Sequence, residues 1–222
     1  MSDTTDQKKT RVVIVEDHPM FRERLASLIN KEPDLEVCGE SDNIREAMEI
    51  IQSTRPDAAI VDITLKGSSG LELLKDLKAQ SILVPVLVLS MHDESLYAER
   101  VIRAGARGYI TKDEASDKVM LAIRKVVGGG IYLSESMTSR VLKNLTDGKG
   151  GLDGPALNRL TDRELEVFQL IGKGKAAREI AETLNLGLTT IDTYRARIKE
   201  KLNLKNATEL VHEAAEWVRS QR

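Results

Sequence analysis

The chain has a single cysteine, Cys38, among its 222 residues. No intrachain disulfide can form, so the fold must hold by packing and needs no oxidising compartment. Cys38 itself reads as a small buried residue. Aromatic residues are scarce, at 3%, so the cores must be built from Leu, Ile, Val and Ala. No apolar run approaches the ~18 residues of a membrane span. The longest, Ile82–Met91, is interrupted by Pro85 and reads as a buried strand. The opening stretch Met1–Lys9 is polar and lacks the apolar segment of a secretory signal. No charge of one sign prevails, with 33 Lys and Arg against 35 Asp and Glu. A strong overall pull on nucleic acid is thereby excluded. These absences together predict a cytoplasmic protein with no membrane partner.

What is present is unevenly spread. Residues 156–222 carry 12 basic against 10 acidic side chains, and residues 1–128 carry 18 against 22. The back of the chain is the more basic part and allows a nucleic-acid partner there. The length suits two ordinary domains. From Arg11 to about Val127, short Val/Ile/Leu runs alternate with amphipathic stretches of helical period. The runs at 12–15, 35–39, 58–61, 84–89 and 107–110 read as strands. The stretches at about 19–31, 43–53, 69–79, 94–103 and 115–127 read as helices. Such alternation predicts an α/β fold, a doubly wound, five-stranded parallel sheet covered by helices on both faces. Gly70 falls in the first turn of the third helix, where it is tolerated at some cost.

Chemistry collects at the strand ends. Glu16 and Asp17 follow the first run, Asp62 the third, Ser90 the fourth and Lys112 the fifth. Singly, each has an ordinary explanation, a helix cap, a turn or a solvated lysine. Jointly, they follow strands 1, 3, 4 and 5 and not strand 2. In the flavodoxin-like order 2-1-3-4-5, strand 2 is an edge and the other four are contiguous, with ligands at the carboxyl ends. Three carboxylates so placed repel one another and call for a cation. Oxygen ligands suit Mg²⁺. Asp62, on the central strand, is the best-placed nucleophile for an acyl phosphate, and Lys112 would add positive charge on the phosphoryl oxygens.

A Gly-rich stretch, Gly148–Pro155, reads as a flexible linker, and Ser134–Leu145 as a short helix before it. Beyond Leu160 the texture becomes all-helical. Thr161-Asp-Arg-Glu164 has capping-box spacing, and Leu160 and Leu165 stand at staple positions. Helices are expected to about Gly172, over 176–184, 189–202 and 207–218. Two short helices around a Gly-containing turn suggest a helix-turn-helix unit, here a small all-α domain of four helices. The third of these helices buries Ile191, Tyr194, Ile198 and Leu202. Its other face carries Thr189, Asp192, Thr193, Ala196 and Arg197 toward a major groove. Lys173, Lys175, Arg178, Arg195 and Lys199 would touch DNA phosphates.

On Val13-Ile-Val-Glu-Asp-His18, Ala59-Ile-Val-Asp62, Leu87-Val-Leu-Ser90, Gly108-Tyr-Ile-Thr-Lys112, Leu160-Thr-Asp-Arg-Glu164 and Tyr194–Leu202, the chain resembles a response regulator of the NarL/FixJ type. Such a protein is a receiver domain followed by a LuxR-type helix-turn-helix domain, and not an enzyme. The resemblance implies a receiver over 10–128, a linker over 129–156 and a DNA-binding domain over 157–222. It implies phosphorylation of Asp62 by a histidine kinase, with control of sequence-specific binding to double-stranded DNA. Asp17, Asp62 and the Thr64 carbonyl would hold Mg²⁺ directly, with Glu16 acting through water. Ser90 would turn to the new phosphate, and Tyr109 would swing into the vacated space. Base contacts map to Asp192, Thr193 and Ala196. An apolar strip of the last helix, from Ala207, Leu210, Val211 and Ala214, would pair two subunits. Met91 is bulky for its position, and His92 stands where it could affect the lifetime of the acyl phosphate. Gly187 replaces a hydroxyl residue that commonly caps this helix. A phosphohydrolase using Asp62 would want a second Asp two residues on, and Thr64 stands there.

Overall fold

The computed structural model describes residues 8–65, 68–91, 94–135, 137–139, 157–184 and 186–220. The chain divides into two compact units, Met1–Thr146 and Asp147–Arg222.

In the first unit, strands β1 (Thr10–Val15), β2 (Leu35–Ser41), β3 (Ala58–Asp62), β4 (Val86–Ser90) and β5 (Gly108–Thr111) form one sheet in the order β2-β1-β3-β4-β5. Every pairing in it is parallel. This is the expected order. Strands covered on both faces lose the alternation of polar and apolar residues, and the central runs behave accordingly. Val12–Val15 and Ala58–Val61 are each fully buried. Helices α1 (Pro19–Asn30), α2 (Ile44–Thr54), α3 (Gly70–Ala79), α4 (Glu94–Ala104) and α5 (Ala115–Val127) connect and cover them. One core packs Val12, Ile14, Leu87 and Leu89 against Leu25 and Ile29 of α1 and Val119 and Ile123 of α5. Residues one step along each strand, such as Val13 and Val61, face the other side.

Three departures from expectation have physical causes. The fourth strand begins at Val86 rather than at residue 84: Pro85 lacks a donor, and Leu83, two residues before it, is 97% exposed. Cys38 is half-buried rather than buried, because the β1–β2 register skips it, pairing Val12 with Val37 and Val13 with Gly39. A two-residue ladder, Thr64–Leu65 with Ser68–Ser69, escapes a period-based reading because it is too short to show one.

Residues just past α5 stay on this unit. Tyr132 pairs with Gly108. The Tyr109 amide donates to the Tyr132 carbonyl (2.9 Å), and the Tyr132 amide donates to the Arg107 carbonyl (2.9 Å). Ser134 begins a turn, its hydroxyl accepting from the Met137 amide at 3.1 Å. The rest of the helix expected to Leu145, and the Gly-rich stretch, lie outside the described residues.

The second unit holds a short 3₁₀ turn (Leu157–Arg159) and helices α6 (Asp162–Gly172), α7 (Ala177–Leu184), α8 (Leu188–Leu202) and α9 (Ala207–Ser220). The capping box forms as its spacing predicts. Thr161 Oγ1 accepts from the Glu164 amide, and Glu164 Oε2 accepts from the Thr161 amide at 2.7 Å. Leu160 and Leu165 are both buried. Phe168 meets Trp217 of α9 with ring centroids 5.5 Å apart. A Cβ on Gly172 would lie 2.3 Å from the Ala214 carbonyl oxygen, so this glycine is what allows α6 and α9 to approach so closely. Among the described residues, no helix is long and apolar enough to cross a membrane.

Candidate functional site

The strand ends deliver the expected side chains to one rim. Glu16 is fully buried, Asp17 is 8% exposed, Asp62 2%, Ser90 0% and Lys112 8%. Lys112 Nζ reaches Asp62 Oδ2 at 2.8 Å and Glu16 Oε2 at 2.7 Å. The same ammonium lies 4.8 Å above the centre of the Phe21 ring. Adjacent parallel strands fix this arrangement, because the Lys112 amide donates to the Ser90 carbonyl (2.8 Å) as β5 leaves the sheet.

Asp62 is held from the other side by the chain that follows it. The Thr64 amide donates to Asp62 Oδ1 at 3.1 Å, and the Gly70 amide donates to the Ile63 carbonyl at 2.9 Å. A Cβ on Gly70 would sit 2.2 Å from the Asp62 carbonyl oxygen. Gly70 is therefore required here and not merely tolerated: α3 starts directly against the backbone of Asp62. A single sequence carries no signal for such an approach.

Burial and charge set the electrostatics. Removal from water, with the Glu16 charge beside it, pushes the Asp62 carboxyl up to about 6 against the pull of Lys112. Burial acts to lower the Lys112 ammonium, but Asp62 and Glu16 outweigh it and hold it above its ordinary value. Three carboxylates face one ammonium. Ligand atoms of Glu16, Asp17, His18 and Asp62 all lie within 4.8 Å of one another. Asp17 Oδ1 and Glu16 Oε2 are buried and, although each touches a nitrogen, neither makes an aligned hydrogen bond. Unbalanced hard oxygens at this spacing fit a divalent cation. His18 and Phe21 join the site without having been anticipated. Both lie at the start of α1, whose angle to the sheet no local pattern reveals.

Tyr109 is 1% exposed, so its ring is buried within the first unit. Met91 is 71% exposed. His92 lies outside the described residues.

In the second unit, Thr189, Asp192, Thr193, Ala196 and Arg197 are all exposed along one side of α8, while Ile191 and Ile198 are buried on the other. Tyr194 and Leu202 are only half-buried. Lys173, Lys175 and Arg178 are exposed, and Arg195 and Lys199 half-buried. Lys175 already pairs with Glu179 at 3.1 Å. The strip expected on the last helix is divided. Leu210 and Ala214 are fully buried in their own bundle, which takes them out of any contact with a second subunit. Ala207 and Val211 remain exposed.

The response regulator receiver domain family matches residues 12–124, and the family of bacterial regulatory proteins of the luxR type matches residues 158–214. The chain is a two-component response regulator. Its luxR-type DNA-binding domain regulates transcription, and the molecule is not an enzyme. This response regulator is 34% identical to the transcriptional regulatory protein DesR of Bacillus subtilis, over 92% of this chain and 96% of that one. It is 30% identical to the transcriptional regulatory protein DegU of Brevibacillus brevis, over 99% of both chains. Among solved structures, a LuxR-family two-component response regulator from Aurantimonas sp. SI85-9A1 is similar, with a TM-score of 0.57 and 28% identity. That similarity covers 63% of this chain and 99% of the other.

Proposed function

We propose that Asp62 is the phosphoryl acceptor of this response regulator and that a histidine kinase is the donor. The receiver would span 10–128, the connector 129–156 and the DNA-binding domain 157–222. One observation carries the reading: Asp62 lies under Lys112 at 2.8 Å, with Glu16 and Asp17 close enough to share a cation with it. An Asp62 oxygen attacks the phosphorus of a phosphohistidine. The P–O bond forms as the P–N bond breaks, and the imidazole leaves with the electron pair and takes a proton. Asp17, Asp62 and the Thr64 carbonyl would hold Mg²⁺, with Glu16 acting through water, and the ion would supply positive charge that lets one anion approach another. Lys112 takes one phosphoryl oxygen, which means giving up part of its contact with Asp62. Ser90 takes another, and Tyr109 is kept inward. His92 would influence how long the acyl phosphate survives.

The output follows at the other unit. Thr189, Asp192, Thr193, Ala196 and Arg197 would read base edges, and Lys173, Lys175, Arg178, Arg195 and Lys199 would hold phosphates. Val211 and Ala207 of α9 would pair two subunits across two half-sites. A regulator of this kind works in the cytoplasm, where kinase and DNA meet. The test is incubation with a small phosphodonor and Mg²⁺, followed by separation of phosphorylated from unphosphorylated protein. Parent protein is expected to be labelled and Asp62→Asn not at all. Undiminished labelling of the variant would overturn the assignment.

A further inference from the structure

We propose that His18 is a nitrogen ligand of the acidic rim and tilts its preference from Mg²⁺ toward divalent ions that favour imidazole. This rests on the reading of the rim as a cation site.

The His18 Nδ1 atom lies 2.9 Å from Asp17 Oδ1 and 3.0 Å from Glu16 Oε1. In an octahedral site with metal–ligand bonds of ~2.0–2.1 Å, neighbouring ligands stand about 2.9 Å apart. The gap to Asp17 thus matches the edge of such a site. A hydrogen bond accounts for the contact with Glu16. It does not account for the one with Asp17, whose Oδ1 is buried and makes no aligned hydrogen bond.

The backbone aims the ring. His18 precedes Pro19, which biases it to an extended conformation, and its φ of −90° and ψ of 106° comply. It stands at the N-cap of α1, yet its side chain caps nothing. Its amide donates to Glu16 Oε1 at 3.0 Å, tying residue and carboxylate together. The side chain is 69% exposed, so on metal binding the ring proton can move to Nε2 in water, and Nδ1 would exchange its hydrogen bond to Glu16 for a lone pair offered inward. Carboxylates alone suit Mg²⁺. One imidazole added to them raises affinity most for Co²⁺, Ni²⁺ and Zn²⁺.

The experiment uses the full chain and two readouts. Calorimetry compares Mg²⁺ and Co²⁺ binding, and pulsed electron paramagnetic resonance of bound Mn²⁺ detects a coordinated ¹⁴N. Parent protein is expected to bind Co²⁺ more tightly than Mg²⁺ and to show the nitrogen coupling. His18→Ala should lose the coupling and at least about tenfold in Co²⁺ affinity, with Mg²⁺ binding changed far less. His18→Asn keeps a donor toward the carboxylates but offers no ring nitrogen, so it should behave as His18→Ala. Restoration of parent Co²⁺ affinity by His18→Asn would reduce the role to hydrogen bonding and overturn the proposal. So would a nitrogen signal that is absent from the parent or that survives in His18→Ala. If the parent binds neither Mg²⁺ nor Co²⁺, or if Asp17→Asn leaves both affinities unchanged, the cation site itself fails and the His18 assignment fails with it.

Discussion

At the scale of single residues, Lys112 is one ammonium between two buried carboxylates, and that imbalance decides how the rim responds to pH. Asp62 sits at about 6 in the folded chain against an ordinary 3.8. A carboxyl raised by folding is ionised at a cost. Its penalty is absent below pH ~4, grows between ~4 and ~6, and is constant above. Without metal, this group should therefore cost the fold about 3 kcal/mol at pH 7 relative to pH 4. Asp62→Asn removes the penalty. In EDTA, urea unfolding of the first unit's transition should find the variant more stable than the parent at pH 7, with the gap closing toward pH 4.5. A gap independent of pH would contradict the argument. Millimolar Mg²⁺ should also narrow it, by stabilising the parent more.

The same scale shows what the linear sequence could and could not reveal. Glu16, Asp17, Asp62, Ser90 and Lys112 were legible because parallel strands all end at one rim. An apolar run followed by a polar residue therefore already implies a location. Phe21 under the ammonium and His18 beside Asp17 were not, because both depend on the tilt of α1. Leu210 and Ala214 were ambiguous for a related reason: helical period identifies an apolar stripe, but not which part of it the bundle consumes.

Among the elements, two helix starts carry opposite consequences for a glycine. Gly70 opens α3 with its Cα against the Asp62 carbonyl. Gly70→Ala introduces a 2.2 Å contact with backbone that cannot yield cheaply. A loss of roughly 1–3 kcal/mol is expected, and the displaced Asp62 should slow labelling by a small phosphodonor. A thermal melt and a labelling time course measure the two effects separately. Gly187 opens α8 with φ of −76° and ψ of 150°, a conformation open to any residue, and caps nothing. A Cβ there meets only Thr190 Oγ1, at 3.8 Å. Gly187→Ser should stabilise by roughly 0.5–1 kcal/mol, through a cap and a less flexible unfolded chain. An unchanged melting temperature for the second unit would show that the cap does not form. Glu164 joins two elements in the same unit, capping α6 while it receives Lys201 of α8 at 2.6 Å.

For the whole molecule, the question is how an event at Asp62 leaves the first unit. The described chain offers a route in the segment just past α5. Tyr109 is bonded through its amide to the Tyr132 carbonyl, and Tyr132 through its own amide to Arg107. Glu94, at the start of α4, accepts from the Ser134 amide at 2.9 Å. The residues that lead toward the second unit are thus tied to the strand carrying Tyr109 and to the helix after Ser90. A change in either is expected to shift this segment. Tyr132→Pro deletes the amide that donates to Arg107 and leaves the rim untouched, while Tyr132→Phe keeps the backbone pairing and serves as control. Phosphodonor labelling should be preserved in both. DNA affinity with and without beryllium fluoride should differ in the parent and in Tyr132→Phe, and the ratio should fall toward one in Tyr132→Pro. If Tyr132→Pro retains the parent's ratio, transmission runs elsewhere, and the pairing of Tyr132 with Gly108 only closes the edge of the sheet.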